Sequence, residues 1–188
     1  MEQFFFTLSQ YFDIPILNWI QSHLRTSFGD AIMPYITSLA DAGIVWILLC
    51  LVLLCFRKYR KAGLSMGAAL LMGMIVCNLI LKPLVGRIRP FDFMWLHEGM
   101  QIPLLITPPN DFSFPSGHTM ASFCAATALM THHKPFGITA MLLAVLIAFS
   151  RLYLYLHYPT DVLFSLIVGI GLGLLGSLLV QKGYEKCL

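Results

Sequence analysis

The sequence predicts an all-α integral membrane protein, a helical bundle of about five transmembrane helices with interfacial helices at its N-terminus. Three observations predict it. Of 188 residues, 58% are hydrophobic and only 11% are charged, with a mean hydropathy of +0.78. A soluble chain of this size needs a polar shell, and this composition cannot build one. Apolar runs of about 20 residues, the length of a bilayer-spanning helix, recur along the chain. Basic residues gather in alternate connections between those runs. The length suits one domain, residues 1–188. A net charge of +3, scattered along the chain, argues against a nucleic-acid partner.

Residues 1–30 read as interfacial helices rather than a span. Asp13, Pro15, Asn18, Gln21, Ser22, His23 and Arg25 interrupt them. Ile16, Leu17, Ile20 and Leu24 share one helical face, and Trp19 suits headgroup depth. The alternative is a sixth span. The start Met1-Glu2-Gln3 has no basic region, which argues against a cleaved signal peptide. Five spans follow: Ala31–Phe56, Ala62–Leu81, Gly117–His133, Phe136–Leu156 and Thr160–Val180, the third being the shortest. Arg57, Lys58, Arg60 and Lys61 separate the first two spans, Lys134 separates the third and fourth, and Lys182 and Lys186 follow the fifth. The positive-inside rule makes that side cytoplasmic. The opposite side then carries the segments Lys82–Ser116 and Leu156–Asp161.

Between the second and third spans, Phe91–Phe114 reads as a long extracytoplasmic loop. It is rich in the breakers Pro103, Pro108, Pro109 and Asn110-Asp111, yet apolar enough to rest on lipid. Gly169, Gly171, Gly173 and Gly176 permit close helix packing in the fifth span. Cys50, Cys55, Cys77, Cys124 and Cys187 have no metal-binding spacing and read as apolar packing residues without a disulfide.

Three polar clusters fall on the predicted outer side. Ionisable groups near a bilayer are costly and mark functional sites. Lys82, Arg89 and Arg151 are cations suited to the charge that spreads over a transferring phosphoryl group. Arg87 reads instead as a side chain that snorkels to headgroups. Pro115-Ser116-Gly117-His118 opens a span. Ser116 suits an N-cap, Gly117 leaves room for a ligand, and the helix N-terminus favours an anion. His118 is placed to protonate a leaving oxygen. His157 lies in a turn, with Pro159 opening the next helix and Asp161 four residues on. A hydrogen bond to Asp161 would fix the imidazole tautomer and leave the other nitrogen free to attack phosphorus. A His/Asp metal site is the alternative, but it lacks a third ligand among neighbours that are mostly cations. His23, His97, His132 and His133 read as bystanders.

Taken in order, Lys82 with Arg89-Pro90, then Pro115-Ser116-Gly117-His118, then Ser150-Arg151 with His157 and Asp161, this chain resembles the type 2 phosphatidic acid phosphatase superfamily. The three-part signature is intact in spacing. The resemblance implies removal of phosphate from a lipid without a metal or other cofactor. It implies that Lys82, Arg89, Ser116, Gly117 and Arg151 bind the phosphoryl group. His118 would be the general acid, His157 the nucleophile that becomes phosphohistidine, and Asp161 its partner. Small bacterial members commonly act on undecaprenyl diphosphate, others on phosphatidylglycerol phosphate or phosphatidic acid. Haloperoxidases share the signature but are soluble, which this composition opposes. A phosphotransferase, or a lipid-binding or transport protein that grips the headgroup without hydrolysis, are the competing functions. The partners expected are a phosphorylated lipid and the membrane itself.

Overall fold

A computed structural model describes residues 2–186, and every regular element among them is helical. Met1 and Cys187 lie outside the described residues. The N-terminal helices α1 (Glu2–Leu8) and α2 (Ile14–His23) run on through a π-helical turn, Ser9–Asp13. Then come α3 (Ser27–Ser38), α4 (Ile44–Cys55) and α5 (Arg60–Met74). A second π-helical stretch, Ile75–Leu81, widens the end of α5 before α6 (Lys82–Val85). The remaining helices are α7 (Pro90–Glu98), α8 (Gly117–His132), α9 (Lys134–Tyr153) and α10 (Pro159–Lys186).

The bundle is organised around α8. This helix is rich in small residues, and Ser122, Cys124, Ala125, Ala126 and Ala128 are all buried. Without large side chains between them, α5, α9 and α10 approach it closely, and the attraction is van der Waals contact rather than water exclusion. A Cβ on Gly173 of α10 would stand 2.6 Å from Cβ of Thr127 on α8, and one on Gly176 would stand 2.9 Å from N of Ala69 on α5. Gly169 is equally tight against α8, whereas Gly171, expected to pack as well, has open space around it. Helix α4 is tied in by Trp46, whose Nε1 donates to Ser122 Oγ at 2.9 Å inside the core. The outer faces of α4, α9 and α10 expose Leu48, Leu51, Leu142, Ile167 and Leu178, a lipid-facing shell. That shell accounts for the composition, and the chain is a multi-pass membrane protein.

The run Arg57–Glu98, α9 and α10 up to Glu185 are long and apolar enough to cross a membrane, and α3 with α4 forms a fourth, bent candidate. Helix α8 has 16 residues and is short for an independent span, which suits its protein-covered position. Two expectations need correction. The span Ala31–Phe56 is not one helix: α3 and α4 meet at 46°. The cause is the turn Asp41–Gly43, where Ala42 (φ 50°) and Gly43 (φ 71°) both take the left-handed conformation. Nor is Phe91–Phe114 wholly a loop. Pro90, with its fixed φ, starts α7, and Gly99 at φ 61° ends it, leaving 99–116 as the loop.

Helices α1 and α2 do not lie apart from the bundle. Ile14 and Leu17 pack with Phe93 and Met94 of α7 and with Tyr155 and Tyr158. Together they cover the end of the molecule where the three polar clusters meet.

Candidate active site

The clusters converge because three chain segments end at one level. Lys82 lies just beyond the π-helical stretch, and Gly86 (φ 62°) then turns the chain so that Arg89 faces back. Ser116 opens α8 as its N-cap, its hydroxyl accepting from Thr119 N at 3.4 Å and lying 2.9 Å from Thr119 Oγ1. The α9–α10 connection is a tight turn in which Tyr155 is held at φ 61° and Leu156 N donates to Arg151 O at 3.0 Å. Strained turns of this kind persist where the surroundings over-determine them. The result is a fully buried His157 between Arg151 and Asp161.

A cavity of about 980 Å³ opens beside this turn. Lys82, Arg89, Gly117, His118, Arg151 and His157 line its polar end. Away from them it continues as an apolar groove between α4 and α5, past Ile47, Leu51, Leu70, Leu71 and Met74. Ser116 and Asp161 are not on its wall: the first is turned into its helix cap and the second stands behind His157.

Arg89 is fixed on three sides. Its Nη1 donates to Leu156 O at 2.7 Å and lies 3.3 Å from His157 Nε2, and its Nε donates to Asp111 O at 2.8 Å. Arg151 donates from Nη1 to Thr37 Oγ1 of α3 at 2.7 Å, while its buried Nε has no partner. His118 Nε2 is 2.8 Å from Asp41 Oδ1, in the turn that breaks α3 from α4. His157 turns Nε2 towards Arg89. Its Nδ1 lies 3.6 Å from Asp161 Oδ2, longer than the expected hydrogen bond. That oxygen already accepts from Ser113 Oγ at 2.5 Å and Tyr158 N at 3.1 Å. Burial first, then the charges of Arg89, Arg151 and Lys82, hold the His157 imidazole well below its ordinary value, so it is neutral.

Asp111, from the 99–116 loop, sits on the cations. Its carboxylate pairs with Lys82 and, at 2.5 Å, with Arg89 Nη2. Burial alone would raise this carboxyl, but the hydrogen bonds and charges of Lys82 and Arg89 overcome it and hold it below the usual carboxylate range. A further correction concerns Arg87, which does not snorkel. It is buried, and it bridges Asp13 and Asp161 at 2.6 Å each. No spacing in the sequence singles out Thr37, Asp41, Asp111, Ser113 or Asp13: Asp13, Thr37 and Asp41 come from segments distant from the signature, and Asp111 and Ser113, though close to Ser116, belong to none of its three parts. The one available signal was Asp13 itself, a carboxylate inside an aromatic-rich stretch. His97 packs edge-on to Phe6 and against Phe93, away from the cavity. His132 meets Ser65 at the other end of the bundle. Among the described residues, no group of three His, Cys, Asp or Glu side chains comes together to hold a metal.

Fold and site together define a class: an integral membrane bundle with a cationic, oxyanion-sized pocket at the end of an apolar groove. The chain belongs to the PAP2 superfamily, whose model matches residues 62–185, and its curated relatives are named as lipid phosphatases and diphosphatases. Its sequence is 32% identical to an undecaprenyl-diphosphatase of Sulfolobus acidocaldarius over 76% of this chain and 66% of that one. It is also 32% identical to undecaprenyl-diphosphatase BcrC of Bacillus subtilis, over 80% and 75% of the two chains. Among solved structures, it resembles a transmembrane PAP2-type phosphatidylglycerolphosphate phosphatase of Bacillus subtilis. That likeness has a TM-score of 0.68 and 26% identity, over 93% of this chain and 84% of the other.

Proposed function

We propose that the protein is a lipid phosphatase working through a phosphohistidine, with undecaprenyl diphosphate as substrate and its site outside the cytoplasm. The observation that carries the reading is His157 Nε2 standing 3.3 Å from Arg89 in a cavity shared with Lys82, Arg151 and His118. Lys82, Arg89 and Arg151 hold the terminal phosphoryl group and supply the positive charge the transition state needs, helped by the N-terminus of α8 at Gly117, with Ser116 acting as the cap that fixes that helix end. The lipid tail runs along the α4–α5 groove. His157 Nε2 attacks phosphorus, and the bond to the leaving oxygen breaks. His118 gives that oxygen a proton, with Asp41 supporting the imidazolium before transfer. Asp161 balances the positive charge that develops on His157, as in nucleophile–base–carboxylate relays. Water then attacks the phosphohistidine, His118 takes its proton, and inorganic phosphate leaves with both histidines restored.

Outward orientation is supported by the basic connections at the opposite end of the bundle, Arg57–Lys61 and Lys134. Phosphatidylglycerol phosphate is the second candidate substrate, supported by the likeness to the Bacillus subtilis structure. A panel of undecaprenyl diphosphate, phosphatidylglycerol phosphate and phosphatidic acid, assayed in chelator, ranks the substrates by kcat/KM. Acid quenching should trap a phosphohistidine that His157→Ala lacks. A fully active His157→Ala rejects the nucleophile. Binding without any phosphate release favours a headgroup-binding protein, and release that depends on an added lipid or sugar acceptor favours a phosphotransferase.

A further inference from the structure

We infer that Arg87 is a positioning residue for the reaction, a clamp that fixes the Asp161 carboxylate behind His157 and makes the N-terminal helix part of the catalytic assembly. This rests on the proposed role of His157 as nucleophile.

The guanidinium is used on both edges. Nη1 donates to Asp161 Oδ1 at 2.6 Å and to Thr160 Oγ1 at 2.9 Å. Nη2 donates to Asp13 Oδ2 at 2.6 Å and to Ser9 Oγ at 2.7 Å. The ring of Tyr158 covers one face, with the Arg87 carbon 3.6 Å from its centroid. Arg87, Asp13 and Asp161 are all buried, and Arg87 has no place on the cavity wall. It therefore acts on the reaction through Asp161 and not on the phosphoryl group.

The division of labour on Asp161 is specific. Oδ1 is taken by Arg87, which leaves Oδ2 to face Ser113, Tyr158 N and the His157 ring. Two ends held in this way stop the carboxylate from rotating. Without the guanidinium, Asp161 would be a buried carboxylate with no cation, and such a group takes up a proton rather than stay charged. A protonated Asp161 cannot balance the charge that His157 acquires on attack.

Asp13 completes the clamp from another part of the chain. Its Oδ1 accepts from Thr160 N at 3.0 Å and its Oδ2 from Thr160 Oγ1 at 2.8 Å. It thus serves as an N-cap for α10 supplied by the π-helical turn between α1 and α2, one residue before Asp161. A lysine at 87 could meet one of these carboxylates as a point charge but could not bridge both in one plane.

The test uses the full-length protein in detergent–lipid micelles with undecaprenyl diphosphate. Steady-state rates, vanadate inhibition, single-turnover phosphohistidine formation and thermal unfolding are measured for Arg87→Lys and Asp13→Asn. In Arg87→Lys, kcat and phosphohistidine formation should both fall about 10- to 100-fold, the range seen when an orienting partner is lost. KM and the vanadate inhibition constant should stay within about threefold, because the cations of the pocket are untouched. Asp13→Asn should show the same split at smaller amplitude. If Arg87→Lys does not fold, Asp13→Asn decides alone. Parent-like kcat in the folded variant, or vanadate affinity lost in step with kcat, overturns the inference. A His157→Ala protein that remained active would overturn the nucleophile itself, a result separate from either of these.

Discussion

Asp111→Asn should make the protein bind phosphate mimics more tightly. The Asp111 carboxylate lies on Lys82 and Arg89, the two cations that a phosphoryl group would take as partners. Any tetrahedral anion entering the pocket must first displace it. Asparagine keeps the size and the backbone carbonyl that holds Arg89 Nε, and removes only the charge. The Asp111 side chain is 50% exposed, so its two ion pairs are screened and belong with surface pairs. At about 0.2–1 kcal/mol each, the two amount to roughly 0.4–2 kcal/mol. With 1.4 kcal/mol per factor of ten, the inhibition constants for vanadate and inorganic phosphate should fall roughly 2- to 25-fold. The carboxyl is held below its ordinary value, so it is ionised throughout a working range of about pH 5–8 and the gain should not vary across it. Its own contribution to stability is present above the unfolded-state value near 4 and lost only as the pH falls towards the lowered folded value. Added salt should shrink the difference between variant and parent, because part of the competing pair faces water. Equal or weaker inhibition of Asp111→Asn would show that the carboxylate supports Arg89 rather than competing with substrate.

Three other outcomes can be checked directly. Because His157 is held neutral, the unfolded chain binds a proton near pH 6.5 that the folded chain refuses. The unfolding temperature should therefore fall as the pH drops below about 6.5. His157→Gln should flatten that slope, and an identical slope would remove His157 as its source. Gly173→Ala drives a Cβ to 2.6 Å from Thr127 and 2.8 Å from Cys124 O, so α8 and α10 must separate. We expect a loss of about 1–3 kcal/mol, read as a lower unfolding temperature in detergent. Gly67→Leu fills the groove beside Cys50, whose Sγ would be 3.3 Å from the new Cβ. Displacing even two methylenes of a lipid tail costs about 1.6 kcal/mol, more than tenfold in kcat/KM on the long-chain substrate. Hydrolysis of a short water-soluble phosphate ester should be spared, and equal losses on both would place the tail elsewhere.

The helices were legible because lipid imposes a rule that sequence obeys locally. Every backbone group in hydrocarbon needs a partner within its own segment, so α9 and α10 stand close to where hydropathy puts them. The signature residues were legible for a related reason: Lys82, Arg89, His118 and Arg151 lie at or next to helix ends and His157 in the tight turn between two helices, where fixed spacing carries over into fixed direction. The Ala31–Phe56 run shows where that logic fails. Apolar content favours helix on both sides of Asp41–Gly43, but two consecutive left-handed residues decide the geometry, and hydropathy is blind to backbone conformation. The Phe91–Phe114 segment fails in the opposite sense. Its several prolines suggest a loop throughout, yet Pro90 begins a helix because its missing N–H costs nothing in a first turn.

Beyond Asp161, what the sequence could not supply is the layer of carboxylates around the cations and histidines. Asp41 meets His118, Asp111 meets Lys82 and Arg89, and Asp13 and Asp161 share Arg87; only Asp161, four residues from His157, also lies near a partner in the chain. Burial makes that layer necessary. Arg87 and Arg89 are almost fully enclosed, and an enclosed guanidinium without a counter-charge is strongly destabilising. Signature spacing fixes where the cations stand, but the anions are free to arrive from any segment that reaches the same end of the bundle. Here they arrive from the N-terminal helix, from the α3–α4 break and from the loop before α8. These are the segments that read, from sequence, as interfacial helices, a plain span and a long extracytoplasmic loop. The polar character of those stretches is therefore better explained by the charges they meet than by the solvent or headgroups they were expected to face.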